Sequence, residues 1–274
     1  MLTAAPLFLL AVIYAQFIEP AALRVTERTF IHQTITPKLD GLKIVFLADI
    51  HSKDQHLPRL AKVIDKVNDL KPDLILLGGD FVNGNGRCTP PDKLLKKLNN
   101  LSAPLGIYAV SGNHDYRYGI EKFRKAFISE KIKLLNDQRL ELRTTNGGKF
   151  NLIGLDYQLN PHRRMDQKRL QKLFYGTNFN LAITHTPADW EFLPASATLT
   201  LAGHTHGGQI HVPFMGSLIN PQGHGRSLSY GEKHSGNKTL FITAGLSSAY
   251  TPARFCMKPE ILLITLQSPD KKRY

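Results

Sequence analysis

The sequence predicts an α/β fold in which a parallel β-sheet packs against a second, mixed β-sheet. The first half of the chain alternates buried-strand patterns with amphipathic helix patterns, which is typical of parallel strands joined by helices. After residue 138 the pattern changes to strands on either side of Asn146-Gly147, a strong signal for a β-hairpin. A length of 274 residues and a hydrophobic content of 42% allow a large core of this kind.

The first sheet is predicted from three apolar strands at residues 41–50, 73–82 and 107–110. Helices are predicted between and after these strands at residues 57–70, 90–98 and 120–131. Strand–helix–strand connections of this length are right-handed and join parallel strands. The carboxyl ends of the strands therefore meet at one edge of the sheet, where open α/β sheets bind their ligands.

The second sheet is predicted from the strands that follow residue 138. Two of them, residues 140–145 and 149–155, flank the hairpin turn, and the others cover residues 179–184, 199–202 and 238–244. Helices are predicted at residues 165–174 and 189–193, and a last strand at residues 261–267 closes the sheet. This mixture of hairpin and crossover connections indicates a mixed sheet rather than a continuation of the first.

Polar side chains follow five successive predicted strands, and several of them are histidines. For any one of these residues a capping or surface role would be the more common explanation, but eight at five strand ends indicate one site. Nitrogen and carboxylate ligands without thiolates suit Mn²⁺, Fe or Zn²⁺. Two metals that share a carboxylate fit this number of ligands better than one tetrahedral ion. The eight residues are Asp49, His51, Asp80, Asn113, His114, His185, His204 and His206.

The last of these motifs, AGHTHGGQI at residues 202–210, places two histidines two residues apart within a glycine-rich stretch. In an extended segment His204 and His206 project to the same side, so both imidazoles can face one place. Gly203, Gly207 and Gly208 provide unusual backbone angles and allow other segments to approach closely. Taken alone, the motif fits a solvated β-turn equally well.

The N-terminal residues 1–18 carry no charged side chain and are about long enough to cross a bilayer with slight thinning. Lysine and arginine are absent before Arg24, and the small-residue cleavage pattern is poor, which favours an uncleaved anchor over a cleaved signal sequence or a buried helix. We therefore expect an anchor or signal-like helix at residues 1–22 and a catalytic domain at residues 41–268. Arg24, Arg28 and Lys38 place this domain on the cytoplasmic face of the cell membrane, if the positive-inside tendency holds.

The net charge of +13 indicates an anionic partner, which is a lipid surface, a phosphorylated substrate or nucleic acid. Solvated helix faces explain most of the basic residues, and no basic run reaches the length of a nucleic-acid-binding tail. The sequence also has no basic groove interleaved with aromatic residues, so specific nucleic-acid binding is not expected. Cys88 and Cys256 allow at most one disulfide and do not identify the redox compartment.

Five blocks, Asp49-x-His51, Gly79-Asp80, Gly112-Asn113-His114-Asp115, His185 and Gly203-His204-x-His206, stand in the order of the calcineurin-like metallophosphoesterase superfamily, which the chain resembles from about residue 43 to 206. The apolar leader and the GHTHGGQ form of the last block resemble its bacterial membrane-associated phosphodiesterases, similar to the YaeI and YkuE proteins. That subgroup is similar to enzymes that cleave UDP-diacylglucosamine in lipid A synthesis. The resemblance implies a four-layer αββα sandwich of two mixed β-sheets flanked by helices, with an N-terminal apolar helix. It also implies two metals at the strand ends, with Mn²⁺ favoured over Fe or Zn²⁺.

The resemblance also implies a role for each residue. Asp49, His51, Asp80 and His206 would hold the first metal, and Asp80, Asn113, His185 and His204 the second. His114 would act as general acid or stabilise the leaving group, oriented by Asp115.

The implied reaction is hydrolysis of a phosphodiester or pyrophosphate bond in a membrane-associated or lipid-linked substrate, by attack of a metal-bridging water. The alternatives are a nuclease or broad phosphatase of the same superfamily and a metal-free binding scaffold.

Overall fold

Two β-sheets pack face to face and helices cover their outer faces, which confirms the expected four-layer arrangement. The computed structural model describes residues 4–84, 88–128, 130–157, 166–176, 178–212, 216–217, 226–248 and 251–270. The helices are α1 Ala4–Ile13, α2 Leu57–Asp69, α3 Pro91–Leu98, α4 Asn113–Phe127 and α5 Gln167–Leu173. The strands are β1 Arg24–Ile31, β2 Lys43–Leu47, β3 Leu74–Leu77, β4 Ile107–Ala109, β5 Ile132–Leu134, β6 Gln138–Arg143, β7 Lys149–Gly154, β8 Asn180–Thr184, β9 Leu199–Ala202, β10 His211–Val212, β11 Gly216–Ser217, β12 Gly231–Ser235, β13 Lys238–Ile242 and β14 Glu260–Gln267.

The first sheet has the strand order β1-β14-β2-β3-β4-β5. The predicted crossovers are confirmed, because β2, β3 and β4 are neighbours and run parallel. Leu47 of β2 pairs with Leu77 of β3, and Leu77 pairs with Ala109 of β4, so the three strands end at the same level. The loops that follow them therefore begin side by side.

The second sheet has the strand order β12-β13-β9-β8-β7-β6 and contains the hairpin predicted at Asn146-Gly147. Strands β7, β8, β9 and β13 are parallel. Ala202 at the end of β9 pairs with both Thr184 of β8 and Ile242 of β13. The chain thus leaves β8 and β9 at the same level, and His185 follows directly after β8.

Both faces of the first sheet are buried, and alternate residues of each strand enter different layers. Phe46 and Leu76 lie between the two sheets, where they pack with residues of the second sheet such as Leu181. Val45 and Ile75 face the other way, against the apolar side of α2 and α3. Strands β2 and β3 are consequently apolar along almost their whole length, which is why the sequence identifies them clearly.

Several elements differ from the sequence prediction. The strand expected at residues 261–267 to close the second sheet is β14, which lies in the first sheet between β1 and β2 and runs antiparallel to β2. Helix α4 begins at Asn113 rather than at residue 120. The amide of Gly112 donates to Asp115 and caps the first turn, and the non-helical backbone at Gly119 separates this turn from the part of the helix that was predicted. Strand β1 was not predicted; it pairs in parallel with β14 at the sheet edge, ahead of the expected start of the domain at residue 41. Its polar edge-strand sequence lacks the apolar run that marked the other strands.

The N-terminal segment, expected to be one apolar anchor, is divided into α1, a π-helical turn at Tyr14–Ile18 and a 3₁₀ turn at Glu19–Ala21. Along the part of the chain that the structure describes, no helix combines the length and the apolar character needed to cross a membrane. Leu7 and Phe8 of α1 are 66% and 73% exposed, whereas Ala15 and Glu19 are buried against the domain.

Candidate metal centre

The loops after β2, β3, β4, β8 and β9 meet at one edge of the two sheets and bring all eight predicted strand-end residues together. Three overlapping groups of acidic and histidine side chains have ligand atoms within 4.8 Å of one another. His114 is half-buried and the other seven residues are buried. The groups are Asp49, His51 and His206; His51, Asp80 and His114; and Asp80, His185 and His204.

Four residues of the expected first metal site converge. The Nε2 atoms of His51 and His206 are 3.2 Å apart, and the Nε2 atom of His51 is 3.6 Å from Oδ2 of Asp80. Asp49 completes the group, with Oδ1 4.0 Å from Nε2 of His206. Ligands at metal–nitrogen distances of about 2.0–2.1 Å lie about 3 Å apart on one ion, so these atoms fit a single metal with little movement.

The expected second site is equally close. The Nε2 atom of His185 is 2.9 Å from Nδ1 of His204, 3.0 Å from Oδ1 of Asn113 and 3.3 Å from Oδ2 of Asp80. Asp80 therefore belongs to both groups. Its Oδ2 atom lies between the imidazoles of His51 and His185, the position required of a carboxylate shared by two ions.

Hydrogen bonds outside the cluster define which ring nitrogens are free. The Nδ1 atom of His185 donates to the carbonyl of Gly78 at 2.8 Å, and the Nδ1 atom of His206 donates to the carbonyl of Ser247 at 2.7 Å. In the neutral form of each ring, Nε2 carries a lone pair that faces other acceptor atoms, such as Oδ1 of Asn113 for His185. Acceptor atoms that converge in this way fit a cation. A histidine that binds a metal through one ring nitrogen usually donates a hydrogen bond from the other, as these two residues do.

The electrostatics of the cluster favour a positive charge at its centre. Burial alone would lower the pKa of His185, but the carboxylates of Asp80 and Asp49 raise it to about 9. Burial lowers the pKa of His51 to about 4 and that of His204 to about 3, with His185 adding to the effect on His204. His51 and His204 are thus neutral at physiological pH, which is the form that binds metals.

Five of the seven predicted ligands have a left-handed backbone conformation, a strained arrangement that costs about 1–3 kcal/mol per residue and is concentrated at functional sites. They are Asp49, His51, Asp80, His204 and His206. The expectation of an extended segment at His204 and His206 is therefore wrong. With φ angles of 71° and 53°, the two imidazoles enter different ligand groups instead of facing one place.

The expected contact between Asp115 and His114 is also corrected. The Nδ1 atom of His114 bonds to the carbonyl of Asn83 at 2.7 Å. Asp115 instead accepts hydrogen bonds from four backbone amides, those of Asp80, Phe81, Val82 and Gly112. Asp115 thus positions the loop that carries Asp80. The amide of His114 donates to Oδ1 of Asp80 at 2.8 Å, so Asp115 affects His114 only through Asp80.

Sequence reasoning missed the carbonyl groups that orient the ligands, namely those of Gly78, Asn83 and Ser247. A backbone carbonyl has no residue type to identify it. Sequence reasoning assigned no role to Arg254, whose buried side chain contacts Ser247. The position of this arginine shortly before the apolar strand β14 was the one feature of the sequence that could have indicated a buried charge.

A carboxylate shared between two groups of nitrogen ligands at the carboxyl ends of parallel strands defines the class of dinuclear metal-dependent hydrolases. The chain belongs to the calcineurin-like phosphoesterase family, whose model matches residues 42–208. This range contains every predicted ligand and is consistent with a metal-dependent phosphoester hydrolase.

Curated relatives extend the similarity beyond the family domain. The chain is 32% identical to the uncharacterized metallophosphoesterase YkuE of Bacillus subtilis, over 94% of this chain and 90% of YkuE. It is 30% identical to phosphodiesterase YaeI of Escherichia coli, over 82% of each, and 26% identical to UDP-2,3-diacylglucosamine pyrophosphatase LpxG of Chlamydia trachomatis, over 92% of each. Several other relatives are longer, and the chain spans between 48% and 64% of their length.

We predict that Gly112→Ala lowers metal affinity about 10- to 100-fold, the usual effect of disturbing a ligand's support. A Cβ atom at Gly112 would lie 2.2 Å from Oδ1 of Asp80 and displace the shared carboxylate. Calorimetric titration with Mn²⁺ measures the change. Gly231→Ala is the control, because a Cβ atom there meets open space. Alanine is strained at its φ of 84°, so this variant should lose stability but keep its affinity for metal. Unchanged Mn²⁺ affinity in Gly112→Ala would contradict the assignment of Asp80.

Metal binding at the His185 group should release about one proton at neutral pH. The pKa of about 9 means that this imidazole holds a proton that the ion must displace. The apparent affinity should therefore fall about tenfold for each pH unit below about 9 and level off above it. Titrations in buffers of different ionisation enthalpy count the proton, and a binding constant independent of pH between 6 and 8 would contradict this prediction.

Proposed function

We propose that this protein is a dinuclear metal-dependent phosphodiesterase that hydrolyses a phosphodiester or pyrophosphate bond. The observation that carries the proposal is the position of Asp80, whose Oδ2 atom lies 3.6 Å from Nε2 of His51 and 3.3 Å from Nε2 of His185. The names of two relatives, a phosphodiesterase and a pyrophosphatase, support the same type of bond. Hydrolysis of a phosphodiester gives an alcohol and a phosphomonoester, and hydrolysis of a pyrophosphate esterified at both ends gives two phosphomonoesters.

When bound, two divalent ions would activate a water as nucleophile and stabilise charge on the phosphoryl oxygens. The residues of the chain have separate tasks. Asp80 fixes the spacing of the two ligand groups, and the loop amides bonded to Asp115 hold Asp80 in its left-handed conformation. His114 donates from Nδ1 to the carbonyl of Asn83, so that its Nε2 atom can donate a proton to the leaving oxygen when the ring is doubly protonated. No side chain has to act as a covalent nucleophile.

Manganese is the metal that we propose, with iron and zinc as alternatives. Each ligand group contains a carboxylate, and the His185 group adds the amide oxygen of Asn113 to its nitrogen ligands. Mixed nitrogen and oxygen ligands suit all three metals, whereas the absence of thiolates from the described cluster disfavours Cu(I) and iron–sulfur clusters.

We propose a membrane-associated or lipid-linked substrate. Leu7, Phe8 and Phe17 of the N-terminal segment are at least two-thirds exposed, and exposed apolar patches of this kind are typical of membrane or partner contacts. The net charge of +13 adds attraction to an anionic surface or substrate. The name of the relative LpxG gives a diacylated sugar nucleotide as its substrate, which supports the same choice. The proposed location is the cytoplasmic face of the cell membrane.

A nuclease or broad phosphatase of the same family is the second candidate, because the excess positive charge would also attract nucleic acid. A metal-free scaffold is less well supported, since both ligand groups are complete. Activity with Mn²⁺ against nucleotide-linked lipids, simple diesters and DNA separates these functions. Metal content alone separates the enzyme from the scaffold.

We predict that Asp80→Ala and His114→Ala each reduce Mn²⁺-dependent hydrolysis of bis-p-nitrophenyl phosphate by at least about 100-fold. Asp80→Ala removes a ligand of both metals, and His114→Ala removes proton donation, which contributes about 10²–10⁴-fold in rate. Metal content distinguishes the two, because only Asp80→Ala should lose metal. Full activity in either variant would contradict the proposed mechanism.

We predict that Phe8→Glu reduces association with anionic vesicles about 10- to 100-fold, because a buried aromatic side chain contributes about 1.5–3 kcal/mol. Cosedimentation with vesicles of phosphatidylglycerol measures the effect. Ile128→Glu is the matched control, since Ile128 is 83% exposed on another part of the surface. Equal binding of both variants and the unmodified protein would contradict a membrane contact through α1.

A further inference from the structure

Arg254 is an arginine with 0% exposure, and it is the largest fully buried side chain among the described residues. A buried guanidinium is unfavourable unless hydrogen bonds compensate for the lost hydration. Here backbone carbonyls do so. Nη1 donates to the carbonyl of Met257 at 2.9 Å, and Nη2 donates to the carbonyls of Ala244 at 2.8 Å and Ser247. Such a costly arrangement indicates a specific task for Arg254.

The segment that Arg254 holds runs directly beside a predicted metal ligand. The amide of Leu246 donates to the carbonyl of Ala48 at 3.0 Å, and the amide of Ser247 donates to the carbonyl of Asp49 at 2.9 Å. The approach is so close that a Cβ atom at Gly245 would lie 2.6 Å from Oδ2 of Asp49. The position of this segment is therefore tied to the position of the ligand.

The carbonyl of Ser247 accepts two hydrogen bonds, one from Nη2 of Arg254 and one from Nδ1 of His206. The bond to His206 sets the tautomer of the imidazole and aims Nε2 at His51, 3.2 Å away. A carbonyl fixed by a charged donor keeps this geometry better than a carbonyl in a free loop.

We infer that Arg254 is a positioning residue for the first metal: it fixes the Ser247 carbonyl, which in turn orients the ligand His206. The inference rests on the proposed function, because it takes His206 as a metal ligand.

The N-terminal segment completes this support. The amide of Arg254 donates to the carbonyl of Ala15 at 2.8 Å, and the ring of Phe255 meets that of Tyr14 edge to face. The buried carboxylate of Glu19 accepts the amides of Cys256 and Met257. The N-terminal segment, expected to be only an anchor, thus contacts Arg254 and the two residues Cys256 and Met257 that follow it. Through these contacts Glu19 also affects the position of His206.

The test is Mn²⁺ titration of Arg254→Lys and Arg254→Met, with Arg28→Met as the exposed control. Lysine keeps the charge, but its single nitrogen lacks the planar fork with which arginine reaches the carbonyls of Met257, Ala244 and Ser247 together. Both variants should bind the first metal about 10- to 100-fold more weakly, as expected for a lost support of a ligand, and bind the second metal normally. Excess Mn²⁺ should restore hydrolysis of bis-p-nitrophenyl phosphate to within about twofold of kcat. Glu19→Gln should cause a smaller loss at the first metal only.

A readout specific to positioning is the ¹⁵N NMR signal of His206 in metal-free protein, assigned by comparison with His206→Asn. The unmodified protein should show the Nδ1–H tautomer, and Arg254→Lys should show a mixture of tautomers.

Folded Arg254 variants that bind both metals normally would overturn the inference and leave the proposed function intact. Equal loss of both metals would also overturn it, since Arg254 would then support the whole site. If the unmodified protein binds neither Mn²⁺ nor the alternative metals iron and zinc, the proposed function fails first. Glu19→Gln keeps the test decisive if the Arg254 variants do not fold, and normal affinity for the first metal in that variant would overturn the inference.

Discussion

Buried acceptor atoms that face one another across about 3 Å repel unless a positive charge lies between them, and this constraint governs the edge where the two sheets meet. Asp80, His51 and His185 direct acceptor atoms toward one another inside the protein. Neutral imidazoles and a buried carboxylate are stable there together with cations. The pKa of His185 is raised for the same reason, because in the absence of metal a proton supplies the positive charge beside the carboxylates.

The fold holds this arrangement by combining level strand ends with strained loops. Strands β2, β3 and β4 end at the same level, and the loops after β2 and β3 adopt left-handed conformations at Asp49, His51 and Asp80. This strain is sustained because the strands are packed on both faces and because Asp115 gathers four loop amides. The Ser247 carbonyl accepts a hydrogen bond from Arg254 and fixes the orientation of His206 in the same site. The ligands are therefore preorganised by their surroundings rather than by their own sequence neighbours.

The sequence was sufficient for the parts of the structure that depend on local patterns. Apolar strands buried on both faces, the hairpin turn and the polar residues at strand ends all have clear signals, and they located the fold and the ligand cluster. The rest depends on distant contacts. Strand β1 forms because β14 offers it an edge, and Asp115 meets its amides only after β3 and α4 come together. The apolar character of residues 1–18 indicated a membrane segment, but not that Ala15 and Glu19 contact the loop after Arg254.

The central claim is that two metals share Asp80. Crystals grown with Mn²⁺ and measured at the manganese absorption edge test it directly. We expect two anomalous peaks about 3.5–4 Å apart, one beside His51 and His206 and the other beside His185 and His204, with the Asp80 carboxylate between them. A single peak, or none in a protein of unchanged fold, would contradict the account.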